Sequence, residues 1–348
     1  MNLGTTRLQI GRPPFVIAEM SGNHNGSLER ALKLVDAAAA AGAQALKIQT
    51  YTADTMTLNL DRGDFLISDR NSPWHGKTLY QLYGEAHTPW SWHEAIFDRC
   101  KQRGILGFST PFDASAVDFL ERLNVPCYKI ASFESIDLPL IRKVAATGKP
   151  LIISTGLASL AEIAEAVSTA RAAGCQQVAL LKCTSAYPAE PSGANLRTIG
   201  NMRDAFACDV GLSDHTLGIG VSVAAVAMGA TILEKHLTLA RSDGGVDAAF
   251  SLEPNEFSQL VSESSAAAVA LGSVSYGPTA EERPSLQFRR SLYVASDIAK
   301  GELFTADSLR AVRPGFGLPP KYLEVFLGRR AARDLAAGTP ASWDIVAD

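Results

Sequence analysis

The chain has 348 residues, 47% hydrophobic and 20% charged, with 32 basic against 36 acidic side chains and a formal net charge of -4. These values exclude a disordered, highly charged chain and give no support to a polyanion-binding role, so no nucleic-acid partner is expected. Mean hydropathy is +0.06 and no apolar run approaches the roughly 20 residues a membrane span needs, so no membrane association is expected. The opening MNLGTTRLQIGRPPF lacks a secretory pattern. Cys100, Cys127, Cys175, Cys183 and Cys208 are an odd set without CxxC spacing, which reads as a reduced, cytoplasmic protein.

In chain order, short apolar runs alternate with longer amphipathic stretches. FVIAE (15–19) is followed by a helical pattern over 28–42 that ends in glycine. ALKIQT (45–50) leads into an oversized connection, 51–89, which holds Trp74, His75, Tyr80 and Tyr83 and reads as a functional loop. The stretch 91–104 predicts a helix with Ser91 as N-cap and Glu94 completing a capping box. ILGFST (105–110), CYKIAS (127–132) and LIIST (151–155) come next, then a helix over 160–174. VALLKCT (178–184), VGLSDH (210–215) and TILEKH (231–236) follow, then a helix over 254–272. Eight runs, each apolar on both parities, predict parallel strands covered on both faces, and the βα alternation predicts a (β/α)₈ TIM barrel over residues 1–272. Residues 273–285 are rich in turn formers and read as a linker. Residues 286–348 read as a small β-rich module in two echoing halves, with a short Thr-capped helix at 305–309. This module carries nine Lys/Arg against seven Asp/Glu, which is +2 and leaves -6 for the rest of the chain.

In such a barrel the active site lies at the C-terminal strand ends. All eight runs end in hydrogen-bonding or ionisable groups. They are Glu19; Lys47 and Gln49; Ser109 and Thr110; Lys129 and Ser132; Ser154 and Thr155; Lys182 and Thr184, then Tyr187; Ser213, Asp214 and His215; and Glu234, Lys235 and His236. Folding alone does not ask for this, because buried charges are costly unless paired. Cations with hydroxyls at strand ends suit a phosphate or carboxylate, so a small anionic substrate is expected. The alternative is a set of internal salt bridges to Glu19 and Glu234. His215 and His236 close adjacent runs and suit a loosely held catalytic divalent metal. His24 in GNHNG is either a third ligand or part of an ordered turn. His75, His87 and His93 read as solvent-exposed, and Cys183 as a buried structural thiol with no partner to lower its pKa.

The segments AEMSGNHNGS, ALKIQTYTADTMT, FSTPFD, YKIASFE, ISTG, LLKCTSAYPA, GLSDHT and ILEKHLTL resemble the nonulosonic acid synthases, the sialic acid synthase family. RRSLYVASDIAKGE and VRPGFGL are similar to the antifreeze-like (SAF) domain that follows the barrel there, and AEMSGNHNGS and LLKCTSAYPA look most like the family's pseudaminic branch. The resemblance implies condensation of phosphoenolpyruvate with an open-chain amino-sugar, release of phosphate by C–O cleavage, and a divalent metal, Mn or Mg. For that branch the sugar is 2,4-diacetamido-2,4,6-trideoxy-L-altrose. With the residues above, it implies His215 and His236 as metal ligands and Glu19 as the residue that stabilises the C2 cation or assists water attack. Lys47, Lys129, Ser132, Ser154, Thr155 and Ser213 would cradle phosphate and carboxylate, with Lys182 and Thr184 beside them. Thr110, Gln49, Tyr187, Glu234 and Asp247 would line the pocket toward the sugar. It also implies a domain-swapped homodimer in which Arg313 reaches the partner's sugar. A sialic or legionaminic acid synthase is the alternative within the family. Outside it stand a Schiff-base aldolase using Lys47 or Lys129 and a non-catalytic carbohydrate- or ice-binding protein.

Overall fold

The structure is a computed structural model that describes residues 1–70, 72 and 74–347. Asp348, the last residue of the expected SAF module, lies outside the described residues. Packing separates the chain into two compact units, one over Met1–Gly272 and one from Ser273 onward.

The first unit opens with a hairpin, β1 (Asn2–Leu3) and β2 (Thr6–Arg7). Eight parallel strands follow: β3 (Phe15–Glu19), β4 (Ala45–Thr50), β5 (Leu106–Pro111), β6 (Tyr128–Ile130), β7 (Leu151–Ser154), β8 (Val178–Cys183), β9 (Asp209–Asp214) and β10 (Ile232–His236). Each pairs with the next and β10 closes on β3, so the sheet is a complete barrel, as the alternating pattern predicts. Alternate strand residues face opposite sides. Val16, Ala18, Leu46, Ile48, Ile130, Ile153, Leu180 and Leu233 pack outward against helical residues such as Leu34, Ile96, Val117, Ile141 and Phe257. Phe15, Ile17, Ala45, Phe108, Cys127, Ile152, Ala179, Leu181 and Ile232 fill the lower interior, joined by Leu3 and Leu8 from the hairpin segment. Gly211 on β9 is dictated by this closure: a Cβ there would lie 2.3 Å from the Ile232 carbonyl oxygen.

Local sequence sets the helix starts. Ser27, Asp113 and Asp137 cap helices Leu28–Ala40, Ala114–Arg122 and Leu138–Ala145, and Ser159 with Glu162 forms a capping box on Leu160–Ala172. The expected Ser91 cap does not form. Trp90–Trp92 instead make a 3₁₀ turn that runs directly into helix His93–Arg103, which has no side-chain cap. The long connection is ordered by helices Ala53–Met56 and Leu79–Ala86 and by Tyr51, whose ring meets Tyr83 at 5.8 Å and Phe112 at 5.1 Å.

In the second unit, β11 (Ser291–Val294) pairs antiparallel with β12 (Leu309–Val312) over a core that includes Leu292, Val294, Phe304, Leu309, Phe326, Leu335 and Ile345. The two halves exchange turn contacts. Asp334 accepts from the Lys300 N–H at 2.7 Å and Asp297 from the Ala337 N–H at 2.8 Å. The expected helix at 305–309 is a turn in which Thr305 Oγ1 accepts from the Ser308 N–H, because Leu309 is already committed to β12 opposite Val294. No helix among the described residues is long and apolar enough to cross a membrane.

Candidate active site

The parity that fills the lower barrel with apolar side chains continues upward into polar ones. Above Ile17 stands Glu19; above Ala45, Lys47 and then Gln49; above Phe108, Thr110; above Cys127, Lys129. Ser154, Cys183, Ser213 and Glu234 continue the ring on the remaining strands, each two residues past an inward-facing position. The barrel thus places the polar layer at the C-terminal strand ends by period-2 geometry alone.

These groups form one network. Lys47 Nζ lies 2.7 Å from Glu19 Oε2 and 3.7 Å from Glu234 Oε1, and donates to Thr110 Oγ1 at 3.2 Å. Lys129 Nζ donates to Glu234 Oε1 at 3.0 Å, and Ser213 Oγ to the same oxygen at 3.1 Å. Gln49 Nε2 donates to Glu19 Oε1 and to Ser21 Oγ, each at 3.0 Å. Burial pushes the Glu19 carboxyl above its ordinary range; Lys47 opposes this and Glu234 adds to it. Burial also pushes Glu234 upward, but Lys129 and Lys47 together outweigh it and hold that carboxyl down at about 2. Lys129 is lowered by burial and by Lys47, against the pull of Glu234. The two carboxylates therefore differ: one is firmly ionised, the other drawn toward proton uptake. The internal-salt-bridge reading describes Glu19 and Glu234, and it leaves Glu234 Oε2 buried without a hydrogen-bond partner.

Hydroxyls gather on the adjoining arc. Ser154 Oγ is buried with no partner, and Ser132 Oγ accepts from the Gly156 N–H at 3.1 Å. A Cβ on Gly156 would lie 2.2 Å from Ser185 Oγ and 2.7 Å from Ser132 Oγ. Lys129 with these hydroxyls offers donors to a compact anion.

His215 and His236 stand side by side, ring centroids 5.4 Å apart, with Phe250 5.0 Å from His236 and Tyr187 4.5 Å from His215. His215 Nδ1 lies 3.0 Å from the Thr184 carbonyl oxygen. A carbonyl can only accept, so Nδ1 carries a proton, which leaves Nε2 as the atom able to face a metal. His236 Nδ1 is buried without a hydrogen-bond partner, 4.0 Å from Asp247 Oδ2. Burial first, then the cations around it, hold His236 well below the ordinary imidazole range, so it stays neutral. Burial lowers His215, but Cys183 and the Thr184 carbonyl outweigh it and raise its pKa, so an arriving cation would displace a proton there, while His236 is already a free donor. Two imidazoles side by side fit a divalent ion held with open positions. No cluster of three or more His, Cys, Asp or Glu suited to a metal occurs among the described residues, so such an ion would rest on this pair with water or substrate.

The structure thus brings together Glu19, Lys47, Gln49, Thr110, Lys129, Ser132, Ser154, Tyr187, Ser213, His215, Glu234, His236 and Asp247. Three expected residues turn away, because they have the outward parity or follow it into the loop. Thr155 Oγ1 donates to the Leu181 carbonyl at 3.1 Å and lies 3.7 Å from Met202 Sδ. Lys182 Nζ is tied to the Cys183 carbonyl oxygen and Thr184 Oγ1, and Thr184 Oγ1 donates to the Gly193 carbonyl. Arg313 is exposed in the second unit.

His24 takes the turn reading: its Nδ1 accepts from the Gly26 N–H at 3.1 Å, and burial lowers its pKa to about 4. His93 is not exposed but fully buried, 2.8 Å from Thr50 Oγ1. Cys183 is not isolated: Sγ lies 3.9 Å from His215 Nδ1. Burial raises that thiol, but His215, Ser132 and Lys129 outweigh it and bring it down to about 7. Sequence reasoning passed over Ser21, Ser185 and Glu134. Glu134, with a buried unpartnered Oε2 and a pKa raised to about 7 chiefly by burial, sits two residues past Ser132, where its charge in a strand-end loop was the available signal.

A closed parallel barrel with ionisable groups converging at its C-terminal strand ends is the architecture of a (β/α)₈-barrel enzyme. Comparison with known proteins narrows this. The NeuB family profile matches residues 34–276 and the SAF domain profile residues 289–347. The chain belongs to the NeuB family. It is 43% identical to a pseudaminic acid synthase of Campylobacter jejuni over 95% of this chain and 97% of that one. It is 40% identical to the pseudaminic acid synthase of Helicobacter pylori, over 96% and 98%. Among solved structures it superposes on an N-acetylneuraminic acid synthetase from Leptospira borgpetersenii with a TM-score of 0.72 at 32% identity, covering 83% of this chain and 95% of that one.

Proposed function

We propose that this protein is a pseudaminic acid synthase. It condenses phosphoenolpyruvate with 2,4-diacetamido-2,4,6-trideoxy-L-altrose to give a nine-carbon 3-deoxy-2-keto acid and phosphate. The observation that carries the reading is the near-full-length likeness to two curated pseudaminic acid synthases.

In this reading Lys47, Lys129, Ser132, Ser154 and Ser213 bind the phosphate and carboxylate of phosphoenolpyruvate, and the unpartnered Ser154 hydroxyl supports that role. An arriving anion redirects Lys129 from Glu234 toward the ligand. Carbon C3 then bonds to the aldehyde carbon of the sugar, the aldehyde oxygen takes a proton, and positive charge remains at C2. Water adds to C2 and loses a proton, and the C2–O bond to phosphate breaks. Glu19, drawn toward proton uptake by burial and set against Lys47, is suited to stabilise C2 and to take the proton from water. Thr110, Gln49, Tyr187, Glu234 and Asp247 orient the sugar. His215 and His236 would hold a divalent ion, Mn or Mg, which when bound polarises the aldehyde and orients water. Lys182, Thr184 and Thr155 support this site from outside the barrel rather than touching substrate.

The active form would be a homodimer in which Arg313 of one copy serves the other's site; its exposure, with no ion pair among the described residues, supports this. The free cysteines, four of them buried, suit a reducing compartment such as the cytoplasm.

The test is mass spectrometry of the product, with phosphate release, from phosphoenolpyruvate and each candidate sugar. Turnover confined to the altrose substrate is expected. Preference for N-acetylmannosamine or the legionaminic precursor would make this a synthase of that branch. Borohydride trapping of Lys47 or Lys129 would replace the reading with an imine mechanism.

A further inference from the structure

Behind the two histidines, on the opposite face of the same strands, lies a buried ion pair that substrate binding does not use. Asp214 precedes His215 on β9 and Lys235 precedes His236 on β10, and the two are register partners in the sheet. Lys235 Nζ lies 2.8 Å from Asp214 Oδ2, with side-chain exposures of 0% and 1%. Every strong group in the cluster is satisfied. Asp214 Oδ1 accepts from the Thr216 N–H at 2.9 Å and from Thr216 Oγ1 at 2.7 Å. Asp214 Oδ2 also accepts from Ser222 Oγ at 2.6 Å, and Lys235 Nζ donates to the Thr216 carbonyl at 2.6 Å. His215 is therefore bracketed, with Asp214 before it and Thr216 after it both fixed to Lys235. Helix Gly220–Ala227 is tied in through Ser222.

Folding does not require this arrangement. Other outward positions on the barrel strands, such as Val16, Leu46, Ile130 and Leu233, are apolar, and the polar ones near the rim, Thr50, Ser109 and Lys182, form no ion pair among the described residues. Removing two charges from water costs about what their attraction returns, so a buried pair adds little stability over an apolar isostere. What a fully satisfied pair does add is a single geometry, because neither side chain has an alternative partner in a dry interior. Here the geometry fixed is the spacing and tilt of the two adjacent strand ends that carry the histidine rings.

We propose that Asp214 and Lys235 are positioning residues: a clamp that fixes the spacing of His215 and His236 and thereby sets the affinity for the divalent ion. Outer partners of metal ligands act in this way, and losing them commonly weakens metal binding 10- to 100-fold. The inference rests on the metal reading above, and its test separates the two.

The full-length protein is compared with Asp214→Asn, Lys235→Met and the double variant. Asparagine keeps an acceptor for Thr216, and the double variant leaves no lone buried charge. Mn²⁺ affinity is measured by titration in the absence of substrate, phosphoenolpyruvate affinity separately, and the thermal midpoint alongside. The expected result is a double variant closer to wild-type stability than either single variant. It should bind phosphoenolpyruvate within about threefold of wild type and Mn²⁺ about 10- to 100-fold more weakly. Unchanged Mn²⁺ affinity would overturn the clamp, as would a parallel fall in both affinities, which marks a merely structural pair. His215→Gln is the control. If wild type and His215→Gln bind Mn²⁺ equally poorly, the metal reading fails by itself. The clamp is then decided by a crystal structure of the double variant: rings that part from their 5.4 Å spacing support it, and rings that keep it overturn it.

Discussion

The two units bury different chemistry. The first places Lys129 and Lys235 among its most completely buried side chains, together with Glu19, Lys47, Asp214 and Glu234. The second closes its core on Leu292, Val294, Phe304, Leu309, Phe326 and Ile345, and its one buried polar side chain among the described residues is Ser291. Its charges stay outside, in turns. A small fold therefore closes well without buried ions, and the chain itself supplies the control. The ionised groups inside the barrel are a feature of what the barrel does, because burying them costs several kcal/mol that only pairing recovers.

The sharpest way to break the contrast is to take away the nearer partner of one buried charge. Lys129→Met leaves Glu234 with Ser213 and the more distant Lys47 and removes a cation from the anion cradle. Phosphoenolpyruvate-dependent phosphate release is expected to fall by more than about 1000-fold, and the barrel to lose about 3–5 kcal/mol in denaturant unfolding. The same change at Arg333, whose partner Asp344 lies at the surface of the second unit, is expected to leave the unfolding midpoint where it was. Equal effects from the two substitutions would remove the distinction.

Acid provides a second separation. All six histidines lie in the first unit. Burial lowers His24 and His93 from 6.5 to about 4. Between those values the unfolded chain binds more protons than the folded one, so stability rises with pH across the window. The contribution of the two histidines is complete above about pH 6.5 and is lost as pH falls toward 4, by at most about 3 kcal/mol each. Unfolding followed by calorimetry from pH 7.5 to 4 should show the barrel weakening, and His93→Phe should flatten that slope. A slope unchanged by the substitution would mean His93 titrates normally.

A smaller effect probes barrel closure. Gly211→Ala pushes a methyl to 2.3 Å from the Ile232 carbonyl oxygen and 2.8 Å from Leu181 Cδ2. The strand must shift, at about 1–3 kcal/mol. Urea unfolding of the full chain measures it, and a neutral result would show that β9 and β10 have slack.

The alternation of runs and helices makes the barrel legible in the sequence, because a strand covered on both faces leaves a mark in every residue. The rim was legible in its membership and not in its direction. Lys182 and Cys183 are neighbours, and from the sequence the lysine was the attractive ligand and the thiol the filler. Period-2 geometry reverses them: Cys183 faces His215 while Lys182 folds back on its own strand. Thr155 fails for the same reason beside Ser154. Parity in a barrel is fixed by which run residue packs inward, and an all-apolar run does not reveal that. His93 was misplaced for a related reason. Its partner Thr50 is 43 positions away, and no local pattern signals it.

The smallest expected effect lies in the second unit. Asp297 and Asp334 each reach across the internal echo to satisfy the other half's turn, at Ala337 and Lys300. Asp334→Ala frees the Lys300 N–H, but that group is at the surface and water takes over the bond. The expected loss is about 1 kcal/mol or less, and Asp297→Ala should match it because the two contacts are equivalent by the internal symmetry. The double variant should cost the sum, since each aspartate serves a different turn. Hydrogen exchange at Lys300 and Ala337 reads each contact directly. A cost of several kcal/mol at either position would place the second unit with the barrel, as a structure that also leans on committed charge.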